Sequence, residues 1–171
     1  SVPSPIQTAL LVQKIGINYD KNSLSPSSKV NTFSTDYSRA LNLGIYGADL
    51  GYVALYNQTQ DAIKYLASIK QLSDKLGLSA AFDGPTLERI QNNISNKDSM
   101  MVLVGLAYRG SDEYLKNNQR MDISSLILTG GWIESMQFSV MAYMQKGGDQ
   151  IRNRIAEQKQ ALNSLLKILG N

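Results

Sequence analysis

Apolar residues recur along nearly the whole chain at the spacing of one helix face, and no segment alternates apolar and polar residues as a half-buried strand does. Ile63, Leu66, Ile69, Leu72 and Leu76 form one such series. Ile151, Ile155, Leu162, Leu165, Leu166 and Leu169 form another. A chain with this rhythm can bury its apolar stripes only by packing helix on helix. The reading is therefore an all-α bundle of about six to eight helices. The 171 residues suit one domain spanning 1–171, and the 43% hydrophobic content is enough for a true core. Few prolines (4) among them favour long elements over many short turns.

Helix boundaries follow from capping chemistry. Ser4-Pro5 opens a first helix and Gly16 ends it. Asn18 to Thr32, polar and interrupted by Pro26, reads as a surface loop. Ser34 or Thr35 caps a second helix running to about Tyr56, and a third runs from about Thr59 to a left-handed stop at Gly77. Asp83-Gly84-Pro85 starts a short helix carrying Leu87, Ile90 and Ile94. Asn96 caps another through Met100–Tyr108, followed by a separate short piece around Glu113–Leu115. Asp122 caps a long helix to about Gln145, Gly147-Gly148 breaks it, and Asp149 caps the last helix.

The two halves share a pattern. Leu41 to Asp49 aligns with Leu126 to Glu134, each a glycine-interrupted apolar helix with one carboxylate, followed by a polar break and an amphipathic helix. This predicts an internal repeat, 35–78 and 122–170, forming two pseudo-symmetric helical hairpins with a connecting helical layer between them. Ala40, Gly44, Gly47, Gly51 and Ala54 share one face of the first repeat helix, and Gly131, Ser135, Ser139 and Ala142 share one face of the second. Glycine in a helix costs about 1 kcal/mol relative to alanine, so such stripes point to a neighbouring backbone at close range.

Absent residue types restrict the chemistry. The chain has no Cys and no His, which removes thiolate nucleophiles, disulfides, the usual general base and the commonest metal ligands. No cofactor and no metal site is expected. Asp20-Lys21-Asn22-Ser23 lacks the glycine and closing glutamate of a calcium loop. The net charge of +3 comes from interspersed residues without a like-charge run, so no nucleic-acid partner is expected. Lys146, Arg152, Arg154, Lys159 and Lys167 read as a solvated face. The longest apolar run, Met100 to Tyr108, is too short to span a bilayer. Opening at Ser1 without Met is consistent with removal of a leader.

Two sets of residues stand out. Asp49 and Glu134 each sit in a strongly apolar helix at matching places in the proposed repeat. A buried carboxylate requires a partner, and two close together would raise one another's pKa, as in acid/base sites. Alternatively each pairs with a cation or a tyrosine hydroxyl. Tyr46, Tyr52 and Tyr56 crowd one helix and Trp132 lies in the other. They combine apolar area with a polar tip, suited either to ligand recognition or to a core with a wet edge. The six methionines read as core filling.

The string Leu41-Asn-Leu-Gly-Ile-Tyr-Gly-Ala-Asp-Leu-Gly-Tyr52, the following Asn57 to Leu66 and the segment Ile127-Leu-Thr-Gly-Gly-Trp-Ile-Glu134 resemble a family of uncharacterised secreted or lipoprotein-like helical proteins of the Bacteroidetes. The opening Ser4-Pro and Gly16–Tyr19 also fit its usual start. The resemblance implies an extracytoplasmic protein, in the periplasm or on the outer surface, with a lipid anchor possible in the precursor, and it assigns no catalytic residue. The expected function is that of a non-enzymatic envelope protein, either structural or binding a protein or small-molecule partner, with Asp49, Glu134, Tyr46, Tyr52, Tyr56 and Trp132 as its ligand-binding residues. The alternative is an enzyme using Asp49 and Glu134 as a carboxylate pair in an interhelical cleft.

Overall fold

The computed structural model describes residues 2–82 and 84–170, and is an all-α bundle with no strand among them. Its helices are α1 (Pro5–Lys14), α2 (Asp36–Leu55), α3 (Thr59–Lys75), α4 (Gly84–Asn92), α5 (Lys97–Asn117), α6 (Met121–Lys146) and α7 (Asp149–Leu169). Two 3-10 turns, Lys21–Ser23 and Ser27–Thr32, lie between α1 and α2.

The two most apolar helices, α2 and α6, form the centre and run side by side in the same direction. Gly44 faces Ile127, Asp49 faces Glu134, and the ring of Tyr52 stacks on Phe138 with centroids 4.7 Å apart. Their closest approach is backbone on backbone. A Cβ on Gly44 would stand 1.9 Å from the carbonyl oxygen of Ile127, and one on Gly130 would stand 1.9 Å from that of Leu41. The contact is thus reciprocal. It pairs Gly44 with Gly130, one residue out of register from an alignment that matches Asp49 to Glu134.

The remaining helices wrap this pair. α3 and α7 fold back beside α2 and α6 respectively, and α1 packs on both central helices. Pro5 and Ile6 of α1 sit where Gly131 and Gly51 carry no side chain. The α1 end is fastened by Gln13, whose amide donates to the Leu55 carbonyl at 2.7 Å, and by Lys146, which donates to the Ile15 carbonyl.

Local chemistry sets most boundaries. Thr35 and Ser38 form a reciprocal capping box at the start of α2. α3 ends where Gly77 takes φ +70° and the Leu78 amide bonds back to the Ser73 carbonyl. Some expectations need correction. The pieces around Met100–Tyr108 and Glu113–Leu115 are one continuous helix, α5, because Gly105 and Gly110 both stay helical. Asp122 and Asp149 are not caps but lie in the first turns of α6 and α7, where an acid favours the positive end of the helix dipole. The proposed start of α4 at Asp83 falls outside the described residues.

The segment read as a surface loop is instead a strap laid across α2 and α3. Ser23, Leu24 and Val30 are buried beneath it. A polar composition hid this because the strap attaches mainly through its peptide groups rather than through apolar side chains.

Replacing Gly44 or Gly130 with Ala should destabilise the protein by about 3 kcal/mol, since only backbone could move aside. Gly110→Ala, where nothing lies within 4 Å of the new Cβ, should be neutral or stabilising by about 0.5–1 kcal/mol. Chemical denaturation midpoints of the three variants give the comparison.

Candidate functional site

The α2–α6 contact has a chemical consequence a turn or so further along. There the two helices present Asp49 and Glu134 to one another, with Asp49 fully buried and Glu134 5% exposed. Among the described residues the backbone donor that reaches them is the Ser25 N–H of the strap, 3.3 Å from Asp49 Oδ2, and it also lowers the Glu134 carboxyl. Asp49 Oδ1 and Glu134 Oε1 are buried with no other donor. No ammonium or guanidinium is among the groups acting on either acid.

An ionised carboxylate only accepts hydrogen bonds, and two adjacent anions served by a single N–H would be strongly unfavourable. A proton held between them removes one charge and provides the missing donor. Burial raises the Asp49 carboxyl well above the usual carboxylate range, and the hydrogen bond and charge of Glu134 raise it further against a small opposing effect of Ser25. Burial also raises Glu134, while its bonds to Asp49 and Ser25 pull it down. The pair therefore titrates as one unit that retains a proton above the range of ordinary acids.

Tyrosine hydroxyls line the rest of the site, and each is committed to backbone. Tyr65 donates to the Ser25 carbonyl at 2.7 Å and Tyr46 to the Pro26 carbonyl at 2.9 Å. The Tyr52 hydroxyl accepts from the Asp20 N–H at 3.1 Å. Tyr108 of α5 reaches across the bare backbones of Gly47 and Gly131 to donate to the Gly44 carbonyl at 2.5 Å. Burial pushes the Tyr46 hydroxyl up to about 12, and it raises Tyr65 and Tyr108, with the charges of Asp49 and Glu134 adding to both. None of these groups is poised to take up a proton near neutral pH.

Of the residues singled out from the sequence, Asp49, Glu134, Tyr46 and Tyr52 come together around the strap. Tyr56 adjoins them, its ring 4.8 Å from that of Tyr52 and its hydroxyl donating to the Ile17 carbonyl at 2.6 Å. Trp132 does not join them. It lies two residues before Glu134 and so projects nearly opposite, where its indole N–H donates to Gln158 of α7 at 3.0 Å. Ser25 was missed entirely, because a peptide N–H leaves no mark in the residue type. Tyr65 was visible only as one more aromatic on an amphipathic helix.

The acid pair is roofed by the strap, and the surface hollows lie elsewhere. One of about 220 Å³ opens between the start of α1, α5 and α6, lined by Arg109, Asp112 and Ser124 among others. A small apolar void of about 40 Å³ separates α2 and α3 from α4 and α5. Among the described residues no group of three acidic residues could hold a metal ion, and no helix is long and apolar enough to cross a membrane. Comparison with protein-family models, with curated proteins and with solved structures finds no match.

The folded state holds a proton that the unfolded chain has already released over the range between the two sets of pKa values. Its contribution is fully present below the ordinary carboxylate range, near pH 4, and is lost as pH rises through the raised values. Unfolding free energy should therefore fall as pH rises from the ordinary carboxylate range through the raised values of the pair. Asp49→Asn, whose amide can donate permanently to Glu134, should flatten that slope in denaturation experiments run across the range.

Proposed function

We propose that this chain is a non-enzymatic binding domain of the bacterial cell envelope that meets a partner through the outer face of the α6–α7 hairpin. The observation that supports this most is a pair of apolar stripes left in solvent. On α6, Ile133, Val140 and Met144 share one face, with Met144 75% exposed. On α7, Leu162, Leu166 and Leu169 do the same, with Leu166 58% exposed.

The α6 stripe lies on the flank turned away from α1, since Gly131 of the same helix faces Pro5. Exposed apolar stripes of this kind mark interaction surfaces. The envelope assignment is supported by the family resemblance and by a composition without Cys or His. The enzymatic alternative draws on a different observation, the adjacency of Asp49 and Glu134, and requires the strap to move before any substrate could reach them.

Photo-crosslinkers placed at Met144 and Leu166 in the native host should give discrete adducts in the envelope fraction, and one at Lys70 on α3 should not. Adducts should disappear on Val140→Glu. Absence of adducts from both positions, or equal adducts from Lys70, would contradict the proposal.

A further inference from the structure

The strap between α1 and α2 is attached through its backbone to side chains from three directions. The Asp20 N–H rests on Tyr52, the Ser25 N–H on Asp49 and Glu134, the Ser25 carbonyl on Tyr65, the Pro26 carbonyl on Tyr46 and the Ser27 carbonyl on Ser68. Its own contribution to the core is small, chiefly Leu24 and Val30, and its regular structure is limited to two short 3-10 turns. Segments of this kind open at lower free energy than the helices beneath them. The walls on the other sides are different. α2 and α6 are locked backbone to backbone at Gly44 and Gly130, and Tyr108 bolts α5 to α2.

We propose that the strap is a proton-dependent latch: a single proton shared by Asp49 and Glu134 holds residues 20–32 closed, and its loss releases them to uncover a polar cleft lined by both acids and by Tyr46, Tyr52 and Tyr65. With the proton in place, the pair is a self-satisfied unit and the Ser25 peptide needs only to complete it. Without it, two like charges share one N–H, and each must be hydrated. Water can reach them by displacing the strap, and not by parting α2 from α6.

The titratable groups facing the pair do not oppose this. They are Tyr46 and Tyr52 on α2, Tyr65 on α3 and Tyr108 on α5, each neutral at moderate pH and none able to balance a second negative charge. On the strap itself, Lys21 is engaged with Asp61 of α3 at 3.1 Å, where Tyr19 also bonds. Asp20 caps its own turn through the Asn22 N–H. The direction follows from burial: both acids are raised above ordinary carboxylates, so the latch opens on raising pH.

Hydrogen exchange, corrected for the intrinsic pH dependence of the chemistry and compared at about pH 5 and about pH 9, reads the latch directly. In the wild-type chain, peptides covering 20–32 should lose protection roughly tenfold or more at the higher pH while the centres of α2 and α6 keep theirs. Asp49→Asn should keep the strap protected at both values, because its amide donates to Glu134 and cannot ionise. Glu134→Gln provides the same test if Asp49→Asn does not fold. Strap protection that is unchanged in the wild type, that falls together with the α2 and α6 core, or that falls equally in the folded variant would overturn the proposal.

Discussion

The architecture depends on the backbone contact of α2 with α6. Two helices packed through ordinary side chains lie roughly 8–10 Å apart, and at Gly44 and Gly130 nothing larger than hydrogen fits between them. Each of these glycines gives up about 1 kcal/mol of helix propensity. In return, the helices approach closely enough for a carboxylate on one to reach a carboxylate on the other. The same bare surface accommodates Tyr108 over Gly47 and Gly131, and the start of α1 against Gly51 and Gly131. Three packing relationships therefore follow from one stripe of missing side chains.

Placing two acids at the heart of such a contact is costly unless their charge is reduced, and among the described residues no cation acts on them. A retained proton is the remaining solution, and it explains why the strap over the pair offers a peptide N–H rather than a lysine or arginine. It also explains the tyrosines. Their hydroxyls hold the carbonyls of Ser25 and Pro26 in place, which aims the Ser25 N–H at the pair. The aromatic cluster thus acts on the acids through the strap, by positioning it. The exposed apolar stripes of α6 and α7 lie on helices other than those the strap covers.

Much of this was legible in the chain. The helical rhythm and the caps at Thr35 and Gly77 marked the helices, and the glycine stripe predicted a close crossing. Lone carboxylates in two apolar helices drew attention to Asp49 and Glu134, which α2 and α6 place against one another. What could not be read is equally specific. The strap looked like solvent loop because its anchors are peptide groups, which every residue carries. The polar residues between Tyr108 and Glu113 separated two pieces in the sequence that the structure joins as one helix, α5. Trp132 is a different case: it stands two positions from Glu134, a helical spacing that turns it nearly opposite, toward α7, and grouping it with the other aromatics overlooked that spacing.

A carbon-detected NMR titration of the side-chain carboxyls of Asp49 and Glu134 in the intact chain addresses the central claim directly. The two signals should move together, with the pair still holding a proton above the range in which exposed acids titrate. Two independent titrations, each complete in the range of exposed acids, would contradict it.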